Sequence, residues 1–298
     1  MRLVATLMFL AAASVAAPAW AQPGPPAPVP PPAPVAAQWH RYVRANEVQL
    51  RDVAAIVRVV PENRTDVAIA ITPGRTPAPQ VRVSGDRLVV DGGLRRQIRS
   101  CRGGQNFEVT TARYGRLSGA DLTRIDVRVP QHAVVAAGGA AQLRIAPAQS
   151  ANVRLEGCGD ADIERVADEA EISVSGQSDL RLYEAGQASI ALAGSGDVTL
   201  GAIHEGLTAS LAGAGDLTAA HVDGPTNISV QGAGDITVRD GRATTLSVVI
   251  VGAGDFIHQG SAERLDAVIL GGGDVRVRRV DGPVNRRVLG GGDVIIGR

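Results

Sequence analysis

The chain is 298 residues long and carries 30 basic against 30 acidic side chains, so its formal charge at neutral pH is zero. Every basic residue is arginine, and no excess of positive charge argues for a nucleic-acid partner. Aromatic residues make up 3% of the chain, which is thin for a sugar-binding surface built on stacked rings.

Met1-Arg2 supplies a positive start, Leu3 to Ala17 form a short apolar run, and Ala19-Trp20-Ala21 reads as a small-x-small cleavage site. Residues 1–21 are therefore predicted to be a secretory signal peptide, removed from a mature chain that starts near Gln22. No cysteine lies near the cut, which argues against a lipid anchor, and no later apolar run is long enough to span a bilayer. The expectation is an exported protein, periplasmic or at the cell surface, with no transmembrane segment. Residues 22–37, beginning QPGPPAPVPPPAPV, can neither donate a ladder of hydrogen bonds nor bury a core, and read as a disordered Pro-rich tether.

Residues 38–130 read as a β-rich N-terminal module. The segments AAIVRVVP, DVAIAI, VRVSGDRLVVDG, NFEVTT and TRIDVRVP alternate apolar and polar residues between Gly, Pro and Asp turns. NEVQLRDVAAI is a weak candidate for a helix.

From residue 131 to 298 a repeat takes over. The acidic position of a Gly-rich corner falls at Asp160, Asp179, Asp197, Asp216, Asp235, Asp255, Asp274 and Asp293, with intervals of 18 to 20 residues. Ala141, nineteen residues before Asp160, reads as a degenerate copy that lost the acid. One residue after the acid stand Ala161, Leu180, Val198, Leu217, Ile236, Phe256, Val275 and Val294. Five residues before it stand Leu155, Val174, Leu192, Leu211, Val230, Ile250, Ile269 and Val288. Two alternating strands per repeat, with no room for a crossover helix, predict an all-β fold. The expected architecture is a right-handed single-stranded parallel β-helix of about 19 residues per rung, preceded by the β-rich module.

The corner invites three chemical readings. A P-loop or dinucleotide cradle needs a helix after the glycines, and here more strand follows, so that reading fails. A calcium site wants six to eight oxygens, whereas each rung offers one carboxylate; a cation ladder along the column of eight acids stays open as the lesser alternative. The preferred reading is mechanical, with glycines turning the corner and Asp accepting amide hydrogens in an Asx-type turn. His40, His132, His204, His221 and His258 show no metal-ligand spacing, and His258 falls in an otherwise apolar column. No catalytic constellation stands out, no rung carries an insertion, and no cofactor is implied. Cys101 and Cys158 could form a disulfide in an oxidising compartment or remain two separate buried thiols; the sequence leaves both open. Arg276, Arg278, Arg279, Arg286, Arg287 and Arg298 crowd the last rungs. They read as charge that guards an exposed strand edge rather than as a patch for anionic ligands. An uncapped last rung leaves self-association open.

The serial GSGD, GAGD and GGGD corners, with the lead-in ending RIDVRVP, resemble the auto-transporter adhesin head GIN domain family, a set of exported bacterial proteins. The likeness covers roughly Val53 to Ile296. It implies a β-solenoid and little chemistry. A true autotransporter ends in a membrane β-barrel, while this sequence stops shortly after its last core column, so it is expected to lack a translocator of its own. The leading expectation is an exported, non-enzymatic cell-envelope protein, an adhesin-like or scaffold module whose partner is an envelope glycan or protein. The alternative is an envelope polysaccharide-binding or lyase-like β-helix protein, and an acid-rich groove with a loop over it would favour that alternative.

Overall fold

The structure, a computed structural model, describes residues 38–42 and 44–297; the expected signal peptide and tether lie outside the described residues. Among the described residues the only helical element is a 3-10 turn at Gly119–Asp121, and no helix is long and apolar enough to cross a membrane. The main body is a β-solenoid of about nine turns.

Each turn is made of two short strands on either side of a glycine corner. Gly224–Gly232 leads to Ile236–Val238, Arg242–Gly252 to Phe256–Ala262, Leu265–Gly271 to Val275–Val280, and Val284–Val288 to Val294–Ile296. Each of these strands pairs in parallel with the strand one rung away. The register keeps the apolar columns intact. Leu217, Ile236, Phe256, Val275 and Val294 are successive Cα partners, and so are Leu211, Val230, Ile250, Ile269 and Val288. Inward alternation buries these side chains, except Val288 on the last rung, in one continuous core. Each Leu, Ile or Val so buried contributes about 1.5–3 kcal/mol, but only because a neighbouring rung covers it.

The ladder does not begin at residue 131. The strand Glu47–Glu62 lies parallel to His132–Ile145, matching Val57 with Leu143 and Val59 with Ile145, and so is itself a rung. This segment contains the helix candidate from Glu47 onward, and it is strand throughout. The helical impression came from the corner. Val48 and Leu50 face inward on one side of it, and Ala55, Val57 and Val59 on the other, so two period-two runs meet out of phase. Asp52 turns this corner with φ +49°, a left-handed conformation that Asp tolerates better than most residues.

A second correction concerns the degenerate copy. Strand His132–Ile145 is offset from Ser150–Gly194 by a constant 18 residues, so Gln142, not Ala141, stands beside Asp160. That offset is the one that places Leu143 and Ile145 over Ala161 and Ile163; a slip of one residue would turn all four outward.

On the far side of Glu47–Glu62, Arg87–Asp91 and Thr123–Pro130 add two more parallel half-rungs. Antiparallel strands then close this end. Val67–Thr72 covers Thr123–Pro130, His40–Tyr42 covers Val67–Thr72, and Gln80–Ser84 covers Arg87–Asp91. Reversing direction stops the parallel stack at this end. At the other end Val288, Leu289 and Ile296 are 37%, 54% and 44% exposed.

Between Asp91 and Thr123 the chain leaves the solenoid to form a small antiparallel sheet of Ile98–Arg102, Glu108–Thr111 and Gly115–Ser118. Leu94, Phe107, Val109, Leu117 and Leu122 seal this flap onto outward-facing Ala54 and Ala140 of the rod, as a second core. The flap is an insertion in the solenoid. Counting intervals between acids missed it because it precedes the first acid.

Candidate functional site

The Gly-x-Gly-Asp corner recurs because the rungs touch there backbone to backbone. A Cβ on Gly215 would fall on the carbonyl oxygen of Gly196 one rung back, and Gly234 meets Gly215 in the same way. The middle position is free: nothing lies within 4 Å of a Cβ built on Gly272. The sequence varies accordingly, with Ser195, Ala214, Ala233, Ala253 and Gly272 in that place.

The acid does not close an Asx turn within its own corner, as the sequence suggested. Its Oδ1 accepts the backbone N–H of the aspartate on the next rung. Asp197 N–H donates to Asp179 at 3.0 Å, Asp216 to Asp197 at 3.1 Å, and Asp235 to Asp216 at 2.9 Å. Asp255 donates to Asp235 at 2.7 Å, Asp274 to Asp255 at 2.7 Å, and Asp293 to Asp274 at 2.9 Å. The aspartate carbonyls join the same ladder; Leu217 N–H, for example, donates to Asp235 O at 2.9 Å. An amide bound to a carboxylate contributes more than one bound to a neutral acceptor, which offsets the repulsion between acids one rung apart.

Both ends of this column differ from its middle. At the C-terminal end Arg276 bridges two rungs, with Nη1 3.1 Å from Asp255 Oδ2 and Nη2 2.6 Å from Asp274 Oδ2. At the N-terminal end the carboxylate of Asp160 turns to the flap and accepts the Gly104 N–H, while Gln142 Nε2 donates to the Gly104 carbonyl at 3.0 Å. Partial burial lifts the Asp160 carboxyl above the usual range, the Gly104 N–H opposes that, and Asp179 and Asp162 push the same way as burial. Cys101 on the flap is bridged to Cys158 on the rod, their Cα atoms 6.1 Å apart. The flap is thus fastened by a covalent link, two hydrogen bonds and an apolar seam. Among the described residues no group of three or more His, Cys, Asp or Glu side chains forms a metal shell.

Beside the flap tip lies a groove of roughly 600 Å³, walled by Gly104 and Gln105 on one side and by four rungs of the rod on the other. Asp162 in its floor faces two arginines, Arg144 at 3.9 Å and Arg181 at 3.5 Å. Tyr183, 54% exposed, completes the lining. None of these four was singled out in the sequence. Tyr183 left a signal nonetheless, as the one aromatic in a column that otherwise holds Glu164, Gly201, Ala220, Arg239, Gln259, Arg278 and Gly297.

Most of the other histidines have structural partners. His132, His204 and His221 contact Ser150, Glu184 and Asp223 at 2.7, 3.3 and 2.9 Å. His258 is buried in its column, parallel to the Phe256 ring, and its Nε2 lies 3.1 Å from the Ser261 carbonyl, which makes Nε2 the protonated nitrogen. Burial depresses its pKa, against the pull of that hydrogen bond. Arg279 pairs with Asp281, while Arg286 and Arg287 lie on the exposed strand Val284–Val288.

Several solved structures are similar to this chain. A protein from Parabacteroides distasonis described as a putative lipid binding protein aligns over 88% of this chain and 96% of its own, with 12% identity and a TM-score of 0.51. Putative adhesins from Bacteroides fragilis and Parabacteroides merdae align over 87% and 88% of this chain and 96% of theirs, with 18% and 13% identity and TM-scores of 0.44 and 0.43. Among curated proteins no sequence matches. The sequence matches one family over residues 64–224 and again over residues 207–297, most of the chain in all. The chain belongs to the family described as "putative auto-transporter adhesin, head GIN domain".

Proposed function

We propose that the protein is an exported, non-enzymatic, adhesin-like binding module of the cell envelope, with the solenoid as a rigid stalk and the flap-side groove as its working surface. Family membership carries this reading. The leader-like residues 1–21 support the export. The non-enzymatic part is supported by the use of the acids: from Asp179 to Asp274 each Oδ1 already holds a neighbouring amide, which leaves these groups poorly placed as acid or base.

Of the alternative, polysaccharide-binding or lyase-like reading, the binding half is favoured by one observation: an acid-rich groove with a loop beside it does exist. The test is fractionation of native cells combined with protease shaving. The expected product starts near residue 22 and is cleaved on intact cells. A strictly periplasmic chain would remove the adhesin role, and a cytosolic chain retaining residues 1–21 would remove the whole reading.

A further inference from the structure

The flap-side groove has a lining that an aspartate ladder does not require. In the column four residues after the acid the neighbouring rungs hold Glu164 and Gly201, so the repeat has no use for an aromatic at Tyr183. Gly201 stacks directly against the Tyr183 carbonyl and offers no side chain to cover the ring on that side. A half-exposed tyrosine in a concave wall is an unsatisfied apolar face with a polar tip, the amphipathic surface that interfaces favour. Around it the hydrogen-bonding groups are mixed. Asp162 accepts only, Arg181 donates only, and the Thr199 hydroxyl does both. The Asp162–Arg181 pair at 3.5 Å presents an acceptor and a donor side by side, which suits the adjacent hydroxyls of a sugar ring.

Charge narrows the ligand further. Four carboxylates, Asp160, Asp162, Asp179 and Asp197, line the groove against two guanidiniums, Arg144 and Arg181. The balance is negative, so uronates, sulfates and phosphates are repelled. The mostly polar wall is equally poor for an acyl chain. One wall is fixed in advance, because the disulfide and the Asp160 and Gln142 bonds hold Gly104 in place, and a preorganised wall lowers the cost of binding.

We propose that this groove binds an uncharged oligosaccharide, with Tyr183 as the stacking platform and the Asp162–Arg181 pair as the hydroxyl clamp. This rests on the reading of the protein as a non-enzymatic binding module. It also revises the first impression from composition: a chain poor in aromatics needs only one, if that one sits in the groove.

The test is calorimetric titration of the exported chain with cellotetraose, maltotetraose, chitotetraose, tetragalacturonate and tetralysine. At least one of the three neutral tetrasaccharides is expected to bind, and tetragalacturonate is not. Tyr183→Ala should weaken that binding about tenfold or more with thermal unfolding unchanged. Asp216→Asn, on the ladder away from the groove, should leave it unchanged. Three outcomes overturn the proposal: no neutral tetrasaccharide binds at millimolar concentration; tetragalacturonate or tetralysine is the only ligand; or Tyr183→Ala binds like wild type. None of these touches the envelope reading, which stands or falls on where the protein is found in cells.

Discussion

Replacing Asp216 separates a structural ladder from a cation site. Asp216 Oδ1 holds the Asp235 N–H at 2.9 Å, and its own N–H is held by Asp197 at 3.1 Å. Asp216→Ala removes a charge-assisted hydrogen bond worth about 1.5–3 kcal/mol. It also relieves repulsion from Asp197 and Asp235, each roughly one strand spacing away, by about 1 kcal/mol per pair in water-like surroundings. The net effect is therefore small, between a gain of about 0.5 and a loss of about 1 kcal/mol. Asp216→Asn keeps an acceptor for the same amide, at about 0.5–1.5 kcal/mol, and relieves the same repulsion, so it should equal or slightly exceed wild type. Urea denaturation with calcium and with chelator gives both values. Salt adds a control, since screening should raise wild-type stability more than that of Asp216→Asn. The reasoning is refuted if Asn is as damaging as Ala, or if calcium stabilises wild type but neither variant. Either result would make the charge itself the working part of the column.

Within the corner GGGD, Gly273→Ala should destabilise by about 1–3 kcal/mol because its Cβ meets the Gly254 carbonyl, whereas Gly272→Ala points into open space and should be neutral; thermal melts of the two side by side decide this. Removing both Cys101 and Cys158 opens a cross-link that spans 57 residues and should cost about 2–4 kcal/mol, read as a lower Tm that added reductant does not change further. His258 has a depressed pKa in the folded state, so the unfolded chain binds the extra proton first: stability should be full above about pH 6.5 and fall as the pH drops below it. His258→Leu, in a column of apolar neighbours, should flatten that part of a pH series, and an unchanged slope would remove the histidine from the explanation.

The solenoid was legible because it repeats. Leu217, Ile236, Phe256 and Val275 align on the acid, and a period of 19 residues has few other solutions. Glu47–Glu62 escaped because a single rung has no second copy to align with, and its corner uses Asp52 in place of the glycine pair. The inter-rung role of the acids was hidden for a related reason: a sequence shows that Asp216 and Asp235 are equivalent, not that one holds the other's amide. Cys101 and Cys158 meet only because the flap folds back across the rod, a contact that spacing cannot express. Tyr183 was visible as a departure from its column, but its neighbours Arg144, Asp162 and Arg181 become a site only when three rungs and the flap are stacked together.

Amide hydrogen exchange at Asp235 tests the ladder most directly, in wild type, Asp216→Asn and Asp216→Ala. The expected result is protection in the first two, where an oxygen accepts the N–H, and markedly faster exchange in the third. Equal exchange in all three proteins would contradict the assignment of the repeated aspartate as the bond between rungs.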